Sequence, residues 1–463
     1  MNDWLHTRAA PTTARFYQDA TDLYPVLGLR RPSIDRSLTQ NLDLEPPRIL
    51  LAATLRWPLA ARLAIALRAQ GCSVQAWCPS GHPLHHTQAV QRVHHRAPWA
   101  PLRSLRSAIA ASKPDFIIPC DDDAAIHLHR LHAHGDDSPA GASLRALIEY
   151  SLGSPASCAL ATERGELMRR AAAAGVRVPA TGTIRSAKDL DDWIERHGLP
   201  LVLKVDGSWG GLGVTVAVDR AQAHAALRIA MRPPLTRALS QWILRRDASQ
   251  LWRQLNPART AAVAQAFIDG RPANRAVACW NGEVLAGISV VALQTHGTTG
   301  PATVVKVIEN EEMSEAARRL VRTLGLSGLC GLDFVIEWSS GAAYMIEVNP
   351  RATPISHLPL GTGQNLLAAL HARLSGEPAP VGASTIPEGL IAMFPGEWRR
   401  DSHSPYLRSA FHDVPWAETA LVRDCVQPLW ETRGLFARLR EQIAGKHMPA
   451  AALWPPAGAE PTR

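Results

Sequence analysis

The stretch from residue 331 to residue 351 restricts the fold of this chain more than any other segment. It reads GLDFVIEWSSGAAYMIEVNPR, two strand-like runs on either side of Ser339-Ser340-Gly341. Those residues suit a three-residue hairpin loop with glycine at the left-handed position. A hairpin centred on residue 340 sets Asp333 opposite Glu347, since 340 − 333 = 347 − 340. Alternation along the second strand turns Ile346 into the core, so an antiparallel sheet with two facing carboxylates is expected.

The same hairpin predicts a cation site. Asn349 and Arg351 alternate onto the face that carries Glu347. Two like charges directly opposite each other destabilise a sheet unless a cation lies between them. Asp333, Glu347 and Asn349 then offer three hard oxygen ligands of the kind that Mg²⁺ prefers, with Mn²⁺ as the other choice. The alternative is a solvated strand face whose carboxylates pair with lysine or arginine.

A lysine and four glycines form the second motif. The segment reads LPLVLKVDGSWGGLGVTVAV, with Lys204 in mid-strand and a glycine-rich loop before the next strand. Glycine lets backbone N–H groups approach phosphate oxygens, but a P-loop or a dinucleotide fingerprint would open a helix here. The alternatives are a flap over phosphates and a flexible hairpin, and the scarcity of lysine, five among 49 cations, favours the flap. The glycines are Gly207, Gly210, Gly211 and Gly213.

The region after residue 46 has the alternation of a Rossmann-like α/β domain. A strand, RILLAAT, leads through Trp57-Pro58 into an amphipathic helix, and a second strand, SVQAWC, follows. A further strand, PDFIIPC, opens into Asp121–Asp123, and ligands of α/β sheets gather at the carboxyl ends of strands. The other interpretation, which we favour, is a helix N-cap followed by a negatively charged first turn.

Composition excludes several classes of protein. Apolar residues make up 46% of the 463 residues, and the apolar runs are far shorter than the ~20 residues of a membrane-spanning helix. Seven cysteines without a CxxC pair argue against a disulfide framework or a zinc site. The net charge of +8 is mostly arginine spread along the chain, which disfavours nucleic-acid binding. No basic and apolar leader begins the chain, so we expect a cytoplasmic protein.

The two motifs, in this order, resemble the ATP-grasp superfamily, and in particular its carboxylate–amine ligases of the carbamoyl-phosphate-synthase and biotin-carboxylase type. The resemblance covers roughly residues 48–375. It implies an α/β protein, α+β in its ATP-grasp core, with a Rossmann-like N-terminal domain, a mobile lid and a small C-terminal region. The implied domains are an extension at 1–46, the Rossmann-like domain at 47–150, the ATP-grasp domain at 151–380 with its lid at about 200–268, and a C-terminal cap at 381–463.

The resemblance also implies roles for individual residues. In the E-x-N-x-R pattern, Glu347 and Asn349 would bind the metal together with Asp333. Arg351 would act in catalysis with Lys306, which lies in the strand TVVKVIE; an ordinary strand cation paired with a glutamate is the alternative for Lys306. The residues that would bind ATP are Lys204, Arg164, Gln265, Phe267, Gly207, Gly210, Gly211 and Gly213.

Three features depart from the family pattern. Arg164 stands where lysine is usual, which keeps the charge and changes the geometry. Ala266 stands where glutamate is usual in the family's Q-E-x-I-x-G strand. The lid is enlarged by the arginine-rich stretch 232–259, which carries Trp242 and Trp252. This stretch would bind an anionic substrate, a partner or a membrane surface, or it is a solvated helical insertion.

The activity that the resemblance implies is ATP-dependent ligation. ATP would phosphorylate a small-molecule carboxylate and release ADP. An amine or similar nucleophile would then displace phosphate from the acyl phosphate, with an amide as the product in the case of an amine. The alternatives are a small-molecule kinase of the same family and a nucleotide-binding regulatory protein without turnover. ATP and Mg²⁺, or Mn²⁺, would be the cofactors. A homo-oligomer is left open, and no nucleic acid or membrane span is expected.

Overall fold

Three β-sheets organise the described part of the chain. The computed structural model describes residues 45–135, 138–155, 164–205, 214–231, 262–297, 300–379, 381–384, 386 and 389–426. The strands are β1 (Arg48–Ala52), β2 (Ser73–Cys78), β3 (Arg92–His95), β4 (Phe116–Pro119), β5 (Thr181–Ile184), β6 (Leu201–Val205), β7 (Val214–Ala217), β8 (Ala262–Ala266), β9 (Gly270–Trp280), β10 (Glu283–Thr295), β11 (Ala302–Ile308), β12 (Gly328–Glu337), β13 (Ala343–Asn349), β14 (Leu390–Ala392) and β15 (Phe411–His412).

Helices cover these sheets and connect their strands. They are α1 (Leu59–Ala69), α2 (Pro101–Ser112), α3 (Asp122–Ala133), α4 (Pro139–Leu152), α5 (Arg164–Ala173), α6 (Ala187–His197), α7 (Arg220–Met231), α8 (Glu311–Leu324), α9 (Leu366–Ser375), α10 (Gly396–Arg400), α11 (Tyr406–Ser409) and α12 (Thr419–Val426), with a 3-10 turn at Pro83–His86. Among the described residues, no helix is both long and apolar enough to cross a membrane.

The first sheet is parallel and has the strand order β3-β2-β1-β4. Its central strand is apolar on both faces: Ile49 and Leu51 pack into one core and Leu50 into another. A strand buried on both sides is what a parallel sheet between two layers of helices requires. The Rossmann-like α/β character expected for this region is therefore present.

Asp121, the first of the three aspartates, is the N-cap residue of α3. Its carboxylate caps α3 by accepting a hydrogen bond from Ala124 N at 2.9 Å. It also accepts from the N–H groups of Thr54 at 2.6 Å and Leu55 at 2.9 Å, so it ties the end of β1 to the start of α3. Burial raises the pKa of Asp121, and these donors oppose that rise. The cap interpretation is confirmed for this residue.

The second sheet has seven strands in the order β13-β12-β9-β10-β11-β14-β15. One face packs on the N-terminal domain through Ala276 and Val290, in the core that also contains Ile49 and Leu51. The other face packs on α5 and α8. Strands β14 and β15 come from the region predicted as a C-terminal cap, and they extend this same sheet.

The predicted pairing of the hairpin β12–β13 is confirmed, but the loop is not the predicted one. On the loop side, Phe334 pairs with Met345 and Ile336 pairs with Ala343. Glu337 N donates to the Ala342 carbonyl at 3.0 Å, which leaves four residues, 338–341, in the loop. A β-bulge at Ile346 then shifts the register, so that Asp333 does pair with Glu347. The prediction that Ile346 turns into the core is wrong, because the bulge gives that place to Met345, which is fully buried.

The third sheet is antiparallel, with the order β5-β8-β6-β7. Strands β6, β7 and β8 fall within residues 200–268, the range predicted for the lid, and β5 lies before that range. One face packs on α6 and α7 through Leu201, Leu203 and Ala264. Side chains alternate along a strand, so Lys204 and Gln265 lie on the opposite face. The lid therefore turns a polar face away from its own apolar core.

Candidate active site

Polar side chains from three adjacent strands meet on one face of the seven-stranded sheet. Asn274 of β9 pairs with Asp333 of β12, and Asp333 pairs with Glu347 of β13. Residues directly opposite each other on neighbouring antiparallel strands share a face. Asp333 accepts a hydrogen bond from Asn274 Nδ2 at 2.7 Å and from Asn349 Nδ2 at 2.9 Å. The predicted carboxylate pair and Asn349 are thus brought together.

The bulge in β13 provides the contact between the sheet and the lid. Ile346, the extra residue, turns its carbonyl oxygen to Lys204, whose Nζ donates a hydrogen bond to it at 3.1 Å. Lys204 is 5% exposed, so its ammonium group lies between the lid and the carboxylate pair rather than in water. A bulge that redirects a backbone group beside a functional site is a common device in sheets.

Glu347 is held in its charged form by neighbouring cations. Arg164, at the start of α5, donates to Glu347 Oε1 at 2.8 Å. Burial alone would raise the pKa of Glu347, but the charges of Arg164 and Lys204 hold that pKa below its usual value. The pKa of Asp333, in contrast, is raised by burial and by the charge of Glu347. The pair therefore already lies among cations, as the alternative interpretation required, and both residues are half-buried.

Lys204 is destabilising where it lies. Burial lowers its pKa from 10.5 to about 8, even though Glu347 and Asp333 favour the charged form. Below pH 8 the lysine is charged in both the folded and the unfolded chain, and its desolvation opposes folding. Between pH 8 and pH 10.5 only the unfolded chain keeps the proton, so stability rises with pH there. A residue that lowers the stability of the fold in this way is typical of a functional site.

Lys204→Met is therefore expected to stabilise the protein in the absence of ligand. At pH 7 the free energy of unfolding should rise by up to about 3 kcal/mol, since each pKa unit is worth about 1.4 kcal/mol. The gain should shrink between pH 8 and pH 10.5, as the folded wild type loses its buried charge. Urea unfolding at several pH values measures this, and a variant less stable than the wild type at pH 7 would contradict the assignment.

Arg351 joins the site to the N-terminal domain. Its side chain is 7% exposed, and its Nε lies 2.9 Å from Oδ1 of Asp122 at the start of α3. It donates to Asn349 Oδ1 at 3.1 Å and to the Ala352 carbonyl at 3.1 Å, and it lies over the ring of Trp57, 5.8 Å from the centroid. Burial opposes its charge, but Asp122 raises the pKa above its usual value. The orientation of Arg351 is therefore set from both domains.

Two residues predicted to bind ATP lie on the lid and at its end. Gln265 of β8 is 3% exposed and donates to Thr181 Oγ1 at 3.4 Å. It lies on the same face of the lid sheet as Lys204, since Lys204 pairs with Val263 two positions earlier in β8. Phe267 follows β8 directly and is 39% exposed. The four glycines of the loop and the stretch 232–259 lie outside the described residues.

The structure does not bring Lys306 to this group. Phe334 of β12 pairs with Ala273 of β9, Ala273 pairs with Val291 of β10, and Val291 pairs with Lys306 of β11. Paired residues share a face of the sheet, so Lys306 lies on the face of Phe334 and not on that of Asp333. That face packs on α8, and Lys306 itself is exposed. Strand β11 is also separated from β12 by β9 and β10. Sequence distance alone could not reveal this, because the face of β11 is set by pairing across four strands.

Sequence reasoning missed two residues of the site, Asn274 and Asp122. Asparagine is a poor strand former, and Asn274 in the run NRAVACW was a signal that a strand residue had another purpose. Asp122 was considered as a ligand contact or as part of an acidic first turn, but not as the partner of Arg351, which is more than 200 residues away in sequence (351 − 122 = 229). Both residues contact predicted site residues only through the tertiary fold.

Comparison with known families identifies the central part of the chain. Residues 165–354 match the model of the ATP-grasp domain family. This chain contains an ATP-grasp domain. The matched region begins in α5 and ends just after β13, so it contains Lys204, Asn274, Asp333 and Glu347. The superfamily suggested by the two sequence motifs is thus confirmed.

The curated relatives of this chain match it over only a small part of their own length. It is 26% identical over 204 residues to the carbamoyl phosphate synthase large chain of Rubrobacter xylanophilus, covering 43% of this chain and 18% of that one. It is 27% identical over 257 residues to the same protein of Kocuria rhizophila, covering 51% of this chain and 21% of that one. The chain therefore spans about a fifth of the length of these relatives.

Solved structures share the ATP-grasp fold at low sequence identity. The biotin carboxylase domain of Hydrogenobacter thermophilus 2-oxoglutarate carboxylase superposes with a TM-score of 0.52 and 13% identity, covering 73% of this chain and 71% of that one. N5-carboxyaminoimidazole synthase of Aspergillus clavatus superposes with a TM-score of 0.53 and 12% identity, covering 72% and 78%. These similarities extend the fold assignment beyond the matched domain.

Proposed function

We propose that this chain is an ATP-dependent ligase that activates a small-molecule carboxylate as an acyl phosphate and joins it to an amine. The observation that carries the proposal is the half-buried pair Asp333 and Glu347. Three cationic side chains lie at its edges, those of Lys204, Arg164 and Arg351. A concentration of cations around two carboxylates suits a polyanionic ligand that arrives with its own metal. The catalytic residue proposed here is Arg351, and Lys306 is not included because it lies on the other face of the sheet.

The proteins that share the fold support this class of reaction. The Hydrogenobacter biotin carboxylase domain was solved with MgADP and bicarbonate, and the Aspergillus synthase with ADP and an aminoimidazole ribonucleotide. The curated relatives are carbamoyl phosphate synthases. We transfer from them the use of ATP with Mg²⁺ or Mn²⁺ and the general class of carboxylate and amine substrates.

The donor set of the site fits a divalent cation. Asp333 and Glu347 face each other across the ladder, and the pKa of Asp333 is raised by burial and by Glu347, so a positive charge between them would relieve both carboxylates. A bound Mg²⁺ would neutralise the triphosphate and polarise the transferred phosphoryl group. Asn349 is the third predicted ligand, but its carbonyl oxygen accepts from Arg351. A cation bound by Asn349 would therefore share this oxygen with the Arg351 guanidinium.

The chain's own residues would bind and orient the nucleotide. Lys204 and Arg164 both lie beside Glu347, and their positive charges suit phosphate oxygens better than a neutral pocket would. Gln265 and Phe267 lie at the end of the lid sheet, where a flat ring such as adenine would be accommodated. The lid closes on the large sheet through the contact of Lys204 with Ile346 O, and closure would exclude water from a hydrolysable acyl phosphate.

Arg351 would act at the point where the two half-reactions meet. In the first, a carboxylate oxygen attacks the γ-phosphorus and the bond to ADP breaks. In the second, the amine attacks the carbonyl carbon, phosphate leaves with the bonding electron pair, and the amine loses its proton. Negative charge collects on the transferred phosphoryl group and then on the carbonyl oxygen, and a rigid, preorganised guanidinium stabilises such charge.

ADP release over a panel of carboxylates, each with and without a panel of amines, tests the proposal. We expect ADP release to depend on one carboxylate and to rise when the matching amine is present. Hydroxylamine in place of the amine should yield a hydroxamate, because only an acyl phosphate reacts in this way. ADP release with a stable phosphorylated product and no hydroxamate would favour a kinase, and nucleotide binding without ADP release would favour a regulatory protein.

A further inference from the structure

Asn274 has a carbonyl oxygen that the described part of the protein leaves without a hydrogen bond. Its amide nitrogen donates to Asp333 Oδ1 at 2.7 Å, which fixes the orientation of the side chain, because the oxygen could not face a carboxylate. The oxygen, Oδ1, is buried and finds no partner among the described residues. A buried acceptor left unsatisfied costs about 1–3 kcal/mol.

Asn349, the amide ligand predicted from the sequence, differs from Asn274 because its carbonyl oxygen has a hydrogen-bond partner. Its nitrogen donates to Asp333 Oδ2, and its carbonyl oxygen accepts from Arg351 at 3.1 Å. Asp333 is thus held between two amides, one on each carboxylate oxygen. Of these two amides, Asn274 is the one whose oxygen lacks a partner in the part of the chain that the structure describes.

An apolar residue would suit the position of Asn274 if it served the fold alone. Its neighbours on the same face are Ala276, two positions along β9, and Val290, its partner on β10, and both belong to the core shared with the N-terminal domain. A β-branched residue would favour the strand and leave no acceptor unpaired. The described residues contain no cluster of three His, Cys, Asp or Glu side chains that could hold a metal.

We propose that Asn274 belongs to the cation site: its amide N–H orients Asp333, and its carbonyl oxygen is a ligand of the divalent cation that binds with the nucleotide. Amide carbonyl oxygens are usual ligands of hard cations. The position of Asn274 opposite Asp333, which is opposite Glu347, puts three oxygen-bearing side chains in one row across three strands. This inference rests on the proposed function, since it places the cation at the Asp333–Glu347 pair.

Mn²⁺ binding to the complex of the full chain with ADP, followed by EPR, tests the inference without reference to turnover. Asn274→Val removes both amide groups and suits a strand, and we expect it to weaken Mn²⁺ binding by ~10-fold or more, the range seen when groups around a metal are removed. Asn274→Asp restores an oxygen ligand and should bind Mn²⁺ within ~3-fold of the wild type or more tightly, because it adds negative charge. If Asn274 had only a structural role, Asn274→Asp should bind Mn²⁺ more weakly than Asn274→Val, since a third carboxylate beside Asp333 adds repulsion.

Ser289→Ala is the matched control. Ser289 lies on β10 and accepts from Arg275, the residue next to Asn274, on the opposite face of the sheet. Its loss should leave Mn²⁺ affinity unchanged. Wild-type affinity in Asn274→Val, or a loss in Asn274→Asp as large as in Asn274→Val, would overturn the inference and leave the proposed function standing. No Mn²⁺ binding by the wild-type complex would overturn the cation site itself.

Discussion

Glu347→Gln is expected to lower the rate of ATP turnover by ~100-fold or more, the scale of effect seen when one group that stabilises transition-state charge is removed. The substitution keeps the size of the side chain and removes one of the two charges that face each other across β12 and β13. Without that charge, Asp333 would be the one carboxylate of the pair left to hold the cation at this face. Steady-state ADP release with the matched carboxylate measures the effect.

The fold should survive the change. Glu347 is held in its charged form by Arg164 and Lys204, so the variant loses an ion pair, worth about 1 kcal/mol for a partly exposed pair. The relief of the repulsion on Asp333 acts in the opposite direction. Glu337→Gln, on the same hairpin next to the loop, is the control and should turn over ATP like the wild type. Wild-type turnover by Glu347→Gln would refute the role given to this residue.

Arg351→Lys should show the second large effect. Lysine keeps the positive charge but cannot reach Asp122, Asn349 and the Ala352 carbonyl together, as the planar guanidinium does. We expect kcat to fall by ~100-fold or more while the Kd of ATP changes by less than ~5-fold, because the lost interaction is one of the transition state. Equilibrium nucleotide binding and steady-state kinetics on the same preparation separate these quantities.

Asp122→Asn, a substitution in the N-terminal domain, is also expected to lower kcat. The carboxylate of Asp122 lies 2.9 Å from Arg351 Nε and helps to fix its direction without belonging to the ATP-grasp domain. Neutralising it should lower kcat by ~10-fold, less than Arg351→Lys, since the guanidinium keeps its contacts with Asn349 and Ala352. A kcat equal to that of the wild type in both variants would contradict the place of Arg351 in the reaction.

The hairpin illustrates how far the sequence could predict the site. Strand alternation and the spacing of Asp333 and Glu347 predicted their pairing, and that pairing is present. The assumed loop was one residue too short, and the bulge at Ile346 compensates for the difference. A bulge has no reliable local signature here, because an isoleucine is as suitable for a regular strand as for a bulged one. The contact of Lys204 with the freed carbonyl group was therefore beyond prediction.

The remaining gaps have one physical cause, which is that long-range pairing decides which face a residue occupies. Lys306 shares its strand type and charge with Lys204, yet three successive pairings put it on the face that packs on α8. Asn274 and Asp122 became part of the site through partners that are 59 and 229 residues away (333 − 274 and 351 − 122). The spacing of motifs predicts which residues are neighbours within a hairpin, but it does not predict contacts between residues that are distant in sequence.

The stability of the protein with nucleotide, measured with and without the metal, tests the central claim that the Asp333–Glu347 pair is the metal–nucleotide site. A ligand at 100 times its Kd stabilises a fold by about 2.7 kcal/mol, which thermal unfolding detects as an increase in Tm. We predict a clear increase with ATP and Mg²⁺, a much smaller one with ATP and EDTA, and no metal-dependent increase for Glu347→Gln. An equal increase with EDTA, or an undiminished metal-dependent increase in Glu347→Gln, would contradict the account.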